Sequence, residues 1–224
     1  VYAGLHYTTA TNGLLLNPIT TALPYLLKDL QVEDFNEDGI PDVVARSWTM
    51  NDLYGASDSV VVLRGLGSQG GGTGTFGFPR IYRMTGSVAG IECADFDQDG
   101  ILDLAVSHSG TTTTILRGQG KGGKGNGLFA ASGGYATGWR ARIADLTEDG
   151  ILDLVALTAG DTAQVLPGNG SGGIGDGTFG APIAIYIEPV LWYAYDLLVA
   201  DVNQDGRLDL LASRPGGGSS GGDA

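Results

Sequence analysis

The chain has 224 residues, of which 42% are hydrophobic and 17% are charged, and this is enough for a full hydrophobic core. Its 25 acidic and 12 basic residues give a formal net charge of −13. This balance excludes ordinary nucleic-acid binding, because no basic patch can displace the counterions of a phosphate backbone. No apolar run approaches the roughly 18 residues of a membrane-spanning helix. We therefore expect neither a nucleic-acid partner nor membrane insertion.

The chain begins at Val1 and not at Met, so we expect that a preceding segment has been processed or excised. Residues 3–11 predict one outer strand. Cys93 is the only cysteine, which excludes an intrachain disulfide. Because Cys93 lies in a partly apolar stretch just before an acidic loop, we expect a small buried side chain there.

A nine-residue acidic pattern occurs four times, at 34–42, 95–103, 145–153 and 201–209. Each copy has Asp at positions 1, 5 and 9, an oxygen-bearing side chain at position 3 and Gly at position 6. Such a loop can wrap hard oxygen donors around Ca²⁺, with the backbone carbonyl of position 7 as a further ligand. We therefore predict up to four calcium ions. The predicted ligands are Asp34, Asn36, Asp38, Ile40, Asp42, Asp95, Asp97, Asp99, Ile101, Asp103, Asp145, Thr147, Asp149, Ile151, Asp153, Asp201, Asn203, Asp205, Arg207 and Asp209.

Two other interpretations of the loops are weaker. An EF-hand needs Glu at position 12 and flanking helices, but position 12 is Ala or Val in every copy and the flanks resemble buried strands. A solvated Asp-rich turn explains one copy better than four copies with the same spacing. Unneutralised carboxylates crowded in one loop would also repel one another. Thr147 offers only a neutral hydroxyl at position 3, so we expect the third site to be the weakest.

The spacing of the loops predicts the fold. Their first positions are 61, 50 and 56 residues apart, which is typical of propeller blades. In the second unit we predict strands at about 88–94, 102–107 and 113–117, a Gly-rich loop at 118–128 and an outer strand from Phe129. The chain is therefore predicted to be an all-β β-propeller of four-stranded blades. About four repeat units are present, alone or as part of a larger ring or array.

A Gly-rich feature repeats in phase with the loops. In three units a glycine lies 11 residues before a phenylalanine, and the pairs are Gly65 and Phe76, Gly118 and Phe129, and Gly168 and Phe179.

The last unit is incomplete. Its second strand, predicted at about 208–213, is followed only by a Gly/Ser-rich stretch. We predict repeats over 1–214 and a flexible tail or linker at 215–224. Either a four-unit ring closes through its own N-terminal strand, or the segment belongs to a larger ring or array. An unpaired edge would otherwise recruit another chain, so self-association through edge strands is expected.

Aromatic residues lie near several predicted strand ends. In the first unit 23 residues separate Asp42 from Gly65, against 15 in the next two units, and this longer connection carries Trp48 and Tyr54. Inserted connections on one propeller face often determine binding specificity. Trp48, Tyr54 and Trp192 are therefore candidate ligand-binding residues, with core packing as the alternative. For Trp139 and Tyr195 core packing is favoured.

Signals of catalysis are weak. The run 118–124 resembles a phosphate-binding loop, but Gly125 stands where Ser or Thr would hold magnesium, and no helical pattern follows. His6 and His108 have no spaced partner, and no nucleophile-elbow pattern occurs. Carboxylate pairs occur only inside the proposed metal loops. We therefore predict a protein that is not an enzyme.

The acidic loop after a strand, together with Gly-Asn-Gly and Gly-Asp-Gly-Thr-Phe-Gly-Ala-Pro within 168–182, resembles the FG-GAP/VCBS repeat. This repeat builds the integrin α-subunit propeller and many bacterial secreted proteins. The resemblance covers about residues 4–213. It implies calcium in the hairpin between the first two strands of each blade, at the positions named above. The long Gly-rich inserts and the small number of blades depart from the integrin form, in which seven blades are usual.

The family resemblance does not fix a function, because propellers are scaffolds. Our first expectation is a secreted or cell-surface, calcium-stabilised binding or adhesion module that recognises a glycan or protein. One alternative is a structural repeat unit of a surface fibre or array that assembles through its terminal strands. Another is an accessory domain of a secreted polysaccharide-degrading enzyme. Weak calcium loops work best where calcium is millimolar, which favours an extracellular location.

Overall fold

The computed structural model describes residues 3–7, 10–11, 14–15, 19–23, 26–48, 58–110, 112–158, 162–186 and 196–213. Only the backbone is described for Trp48 and for residues before 26. The described residues form strands, turns and extended segments, and none of them forms a helix that could span a membrane. The strands form several small antiparallel sheets in a β-propeller-like arrangement. This confirms the predicted all-β class.

Four short strands precede the first unit. Strand β1 (Ala3–Tyr7) pairs with β4 (Ile19–Leu23), and β2 (Ala10–Thr11) pairs with β3 (Leu14–Leu15). The prediction of a single outer strand at 3–11 is therefore wrong. Asn-Gly, the sequence between β2 and β3, is strongly favoured in two-residue hairpin connections.

The first unit is a four-stranded sheet with an extra hairpin. Its strands are β5 (Leu26–Glu33), β6 (Asp42–Trp48), β7 (Ser59–Leu63), β8 (Gly65–Ser68), β9 (Gly71–Phe76) and β10 (Arg80–Arg83). The sheet order is β10-β7-β6-β5, and β8 pairs separately with β9.

The second and third units repeat this plan, and the fourth unit has only its first two strands among the described residues. The second unit consists of β11 (Val88–Ala94), β12 (Asp103–His108), β13 (Thr112–Gly120) and β14 (Gly125–Ala136). The third consists of β15 (Trp139–Ala144), β16 (Asp153–Leu157), β17 (Thr162–Leu166), β18 (Gly168–Ser171), β19 (Ile174–Phe179) and β20 (Ile183–Tyr186). The fourth consists of β21 (Asp196–Ala200) and β22 (Asp209–Ser213). Four-stranded units are thus confirmed for three units.

The Gly-rich connection of the second unit is a hairpin and not the loop predicted at 118–128. Strands β13 and β14 stay paired until Gly120 meets Gly125, and Lys121 and Lys124 close the turn through their backbones. A strand follows, where a phosphate-binding loop would need a helix.

The core lies between neighbouring sheets. The central strands β12 and β16 are buried along their whole length. One apolar cluster joins the first and second units, a second joins the second and third, and a third joins the third to β21. Cys93 is partly buried against the first cluster, and burial raises the pKa of its thiol to about 12, assisted by Glu33 and Glu92. Trp139 packs against the third cluster, as predicted.

The first strands of neighbouring units are also joined by polar side chains three residues before each of the first three acidic loops. Gln31 donates to the carbonyl of Ile91 on the next unit. Arg142 donates through Nε to the carbonyl of Leu197 at 2.7 Å and forms an ion pair with Glu92 at 2.7 Å. The same sequence position therefore links one unit to its neighbour.

Close backbone packing explains the first glycine of each hairpin. A Cβ atom on Gly118 would lie 2.3 Å from the carbonyl oxygen of Leu102 and 2.7 Å from Cγ2 of Ile101. A Cβ atom on Gly65 or Gly168 would lie at similar distances from the equivalent atoms of its own loop. The hairpin therefore covers the isoleucine at position 7 of the acidic loop, and this isoleucine is buried in all three complete units.

We predict that Gly118→Ala lowers the free energy of unfolding by about 2–3 kcal/mol, because the added methyl group overlaps backbone that cannot move aside. Gly134→Ala, in the same sheet but with no neighbour within 4 Å of the added Cβ, is the control. It should be neutral or stabilising by a few tenths of a kcal/mol, as expected when glycine loses unfolded-state entropy. Urea unfolding of both variants compares the two, and equal destabilisation would contradict this packing.

Candidate calcium loops

Each acidic loop connects the first and second strands of its unit. The four loops follow β5, β11, β15 and β21, and all four contain the same backbone turn. Position 4 has a positive φ of 52–61° in Glu37, Gln98, Glu148 and Gln204, and the glycine at position 6 has a φ of 80–89°. Glycine adopts this conformation without steric cost. The repeated sequence therefore encodes a repeated turn.

Aspartates at positions 1 and 5 hold this turn. In the second loop Asp95 accepts hydrogen bonds from the backbone N–H of Asp99 at 3.1 Å and of Gly100 at 2.8 Å. Asp99 in turn accepts from the N–H of Ile101 at 2.9 Å. The other three loops have the same bonds at 2.8–3.2 Å. The side chains are therefore oriented toward the interior of the loop by the backbone itself.

The aspartate at position 9 joins the loop to the hairpin. Asp103 is buried, and its two oxygens accept from the N–H of Phe96 at 3.1 Å and of Gly118 at 2.7 Å. Asp42 and Asp153 make the equivalent pair of contacts. Sequence analysis assigned these residues to calcium alone and missed this role. Both oxygens of Asp42 and Asp103 retain a second lone pair, whereas one oxygen of Asp153 accepts from two N–H groups, those of Leu146 and Thr147. Ligation by position 9 stays a prediction.

Three carboxylates converge in the second loop. Asp95, Asp97 and Asp99 each offer an oxygen, and these oxygens all lie within 4.8 Å of one another. Calcium binds oxygen at about 2.3–2.6 Å, so two of its oxygen ligands are at most about twice that distance apart. Oxygens within 4.8 Å of one another can therefore all bind the same ion. In the other loops position 3 is Asn36, Thr147 or Asn203, which would contribute a neutral oxygen. The donor chemistry therefore fits calcium in each loop.

Burial and mutual repulsion make these carboxyls harder to ionise. Desolvation raises the pKa of Asp103 to about 6, despite its two N–H donors, and Asp97 raises it further while Arg117 lowers it. The pKa values of Asp95 and Asp42 are also raised, mainly by desolvation and then by neighbouring carboxylates. A bound cation would favour the ionised forms of the same groups.

An arginine borders the second loop. Arg117 forms an ion pair with Asp97 at 2.8 Å and donates to the backbone carbonyl of Asp176 on the next unit. Its positive charge opposes a cation at this loop. The equivalent residue of the third unit is Pro167, so this competing charge is missing where the weaker ligand Thr147 stands. The expected weakness of the third site is thus offset in part.

The residue at position 4 links each of the first three loops to the following unit. Glu37 accepts from the N–H of Gly125 at 2.9 Å. Gln98 accepts from the N–H of Gly175 at 2.8 Å and donates to the carbonyl of Gly150 at 3.1 Å. Glu148 forms an ion pair with Arg207 of the fourth loop at 3.1 Å.

Sequence analysis missed these links. A signal was present, because position 4 is Glu or Gln in every loop.

Aromatic pairs reinforce the same junctions. Phe35, at position 2 of the first loop, meets Phe129 of the next hairpin edge to face at 5.4 Å between ring centroids. Phe96 meets Phe179 in the same way at 5.8 Å. Such pairs contribute about 0.5–1.5 kcal/mol beyond their buried area. Each acidic loop is therefore part of an interface between units.

The proposed ligand-binding aromatics lie mostly outside the described residues. This applies to Tyr54 and Trp192, and also to Tyr195. Trp48 ends strand β6, but its side chain is outside the described part. These assignments therefore stay predictions, as does the tail at 215–224.

The repeated loop, its glycine hairpin and the junction between units correspond to a known repeat. Residues 34–106, 95–156 and 145–212 match the profile of the FG-GAP-like repeat in three successive copies. The chain belongs to the FG-GAP-like repeat family. Each match runs from one acidic loop to just beyond the next, so an FG-GAP-like repeat here spans the junction between two units. The family is one of non-catalytic repeats.

Comparison with curated proteins gave no match, and comparison with solved structures gave none either.

We predict that Asp99→Ala removes one bound calcium ion and lowers the melting temperature mainly in the presence of calcium. A site saturated at about 100 times its dissociation constant contributes about 2.7 kcal/mol, which this variant should lose. In chelator only the bond from Ile101 is lost, at a cost of about 1 kcal/mol. Asp176→Ala, at an exposed aspartate outside the loops, should keep the full ion count. An unchanged ion count in Asp99→Ala, measured by calorimetry, would disprove the assignment of this loop.

We also predict that calcium affinity falls as the pH drops through 6. Asp103 has a pKa of about 6 in the calcium-free fold, so below this pH protons compete with calcium, by about tenfold per pH unit for one proton. Without calcium, in the presence of chelator, lower pH has the opposite effect and stabilises the fold. The folded carboxyl binds protons more tightly than the unfolded one, so its contribution to stability rises as the pH falls from 6 toward 4. Titration calorimetry at pH 5, 6 and 7 measures the calcium affinity, and melting curves in chelator at the same pH values measure the stability. A calcium affinity that does not change with pH would contradict the first prediction.

Proposed function

We propose that this chain is an extracellular, calcium-stabilised binding module that recognises a glycan or a protein and has no catalytic activity of its own. The observation that carries the proposal is the position of the oxygen-rich loops. The first and second loops lie where their unit meets the next, between the position-4 contact and the aromatic pair. Calcium in a loop would therefore act on an interface as well as on a turn.

Calcium would stabilise the module by neutralising charge. The four loops contain 15 of the 25 acidic residues, and the carboxylates of the second loop converge within 4.8 Å. When bound, calcium supplies positive charge that offsets this repulsion. A fixed loop then fixes position 4, which reaches the following unit. Preorganised units present a partner-binding surface at a lower entropic cost.

A surface beside the first hairpin supports a recognition role. Phe78 is 98% exposed and borders a shallow cavity of about 390 Å³ together with Arg64, Leu66 and Arg80. The equivalent residue of the third unit is Ala181, so the exposed ring is particular to the first unit. An aromatic ring and two arginines that line one cavity suit the apolar face of a sugar that carries an acidic group, or an acidic protein segment.

The first test is calcium stoichiometry together with the melting temperature, with and without chelator. Three or four ions per chain and a loss of about 2.7 kcal/mol per saturated site on chelation are expected. No binding and no change in melting temperature would disprove a calcium-stabilised module.

The recognition surface is tested on an array of acidic and neutral glycans and on an array of acidic peptides. We predict that Phe78→Ala and Arg80→Ala reduce binding of the wild-type ligand at least tenfold while the melting temperature in calcium stays within about 1 °C. Tyr186→Ala, an exposed aromatic in the third unit, is the matched control and should bind normally. Equal loss in the control, or full binding by Phe78→Ala, would exclude this surface.

A structural repeat unit that assembles through its ends is the second candidate function. It is favoured by the two-stranded sheets β1–β4 and β21–β22 at the two ends of the array.

A further inference from the structure

The fourth unit is half of a four-stranded sheet. Strand β22 pairs with β21 on one side, and no described residue pairs with its other edge. Leu211 on β22 is 36% exposed, whereas the equivalent residues Val44, Ala105 and Val155 are almost completely buried in the clusters that their sheets form with the following unit. Leu198 on β21, at the position where Gln31 and Arg142 join neighbouring units, is 57% exposed. The apolar residues of this half-sheet therefore lack their usual cover.

A polar contact is missing at the same place. In the complete units one oxygen of the position-9 aspartate accepts from the first hairpin glycine at 2.7–2.9 Å. Asp209 accepts from the N–H of Val202 at 3.0 Å, but among the described residues nothing donates to its other oxygen. Within residues 196–213, the described part of the fourth unit, no third strand is present whose following residue could supply this N–H group.

The N-terminal strands have the register of that missing half. In the complete first unit the first hairpin residue pairs with the phenylalanine, Gly65 with Phe76, and Val62 pairs with Arg80. In the N-terminal segment Ala10 pairs with Leu15, as Gly65 does with Phe76. Tyr7, three residues before Ala10, pairs with Ile19, four residues after Leu15, so the spacing is the same as in the first unit. The third unit follows the same rule, with Gly168 opposite Phe179 and Val165 opposite Ile183. Strands β1 to β4 therefore reproduce the third strand, the hairpin and the fourth strand of a unit.

We propose that β22 of one copy of this chain pairs with β1 of a second copy, so that the two half-sheets form one complete unit between chains. The register follows from the complete sheets, in which the residue two places after the position-9 aspartate pairs with the residue three places before the first hairpin residue. Leu211 would thus face Tyr7, and Ala212 would face His6. Ala10 would take the place of the first hairpin glycine opposite Asp209, and its methyl group requires the carbonyl of Leu208 to lie farther away than the equivalent carbonyl does in the complete units.

The partner is a second copy because β1–β4 and β21–β22 form separate sheets within one chain, with no pairing between β1 and β22 among the described residues. Strands β1 and β4 contact β5 and β9 of the first unit, whereas β21 contacts β15 of the third. Three four-stranded units separate them along the array. Pairing between chains continues an interface that the chain already forms three times between its second and third strands. Such a head-to-tail contact produces a ring of copies where the rotation closes and a filament where it does not. The proposal does not depend on calcium or on a ligand.

The experiment mixes two single-cysteine variants. His6→Cys and Ala212→Cys are combined in equal amounts, oxidised mildly and separated without reductant. Tyr7→Cys and Leu211→Cys form a second mixture, because neighbouring pairs of an antiparallel ladder alternate between closer and wider spacing. The native Cys93 is common to all samples, and its raised pKa makes its thiol a slow reagent. Ala212→Cys mixed with Leu66→Cys, at an exposed residue of the first hairpin, measures random collision.

We expect a cross-linked dimer in at least one matched mixture, at several times the yield of the mismatched mixture. Light scattering should show a mass that rises with concentration, and Leu211→Lys should reduce it to the single chain while Leu66→Lys does not. An internal cross-link in the His6→Cys/Ala212→Cys double variant, with none in the mixtures, would show closure within one chain and overturn the proposal. So would the absence of any matched cross-link together with a concentration-independent monomer. Calcium counts are measured separately, so failure here leaves the calcium proposal standing.

Discussion

The buried aspartate at position 9 is the interaction on which each unit depends. It follows the acidic loop, begins the second strand and binds two backbone N–H groups that no neighbouring strand satisfies. One of these belongs to the loop and the other to the first hairpin glycine. Hydrogen bonds to a charged acceptor contribute about 1.5–3 kcal/mol each, and leaving a buried carboxylate without them costs more. Loop, second strand and hairpin therefore have to form together.

The acidic loops, the first three strands of the second unit and the repeat of four-stranded sheets were predictable from sequence, because spacing and strand patterns are local. The hairpins were not. Gly-rich sequence between 118 and 128 indicated a loop, whereas its glycines allow two backbones to approach over Ile101. The N-terminal segment was also misjudged as one strand. Its hairpin has Leu15 in place of phenylalanine and a short Asn-Gly connection, so its equivalence to the later hairpins is visible only in the pairing register.

Contacts between units were harder to predict than contacts within them, because they depend on which side chain crosses the gap. From sequence, the Glu or Gln at position 4 is expected to be a solvated turn residue. In the structure its backbone has a positive φ, and its side chain contacts the next unit. Arg117 reads as an ordinary strand residue, yet it borders the carboxylates of its own loop and reaches the next hairpin. Loop and junction share these residues. Charge in a loop therefore affects how neighbouring units fit together.

This sharing gives the array a direction. The first and second units offer position 4 and the loop phenylalanine forward, and the hairpins of the second and third units receive them through glycine N–H groups and their own phenylalanines. The fourth unit has the forward-facing residue at position 4, Gln204, in the same positive-φ conformation, but no hairpin follows within the described residues. Its aspartate at position 9 likewise lacks its second donor. The same two interactions that order the units along the chain therefore specify what the end of the array will accept, which is the third strand and hairpin of another unit.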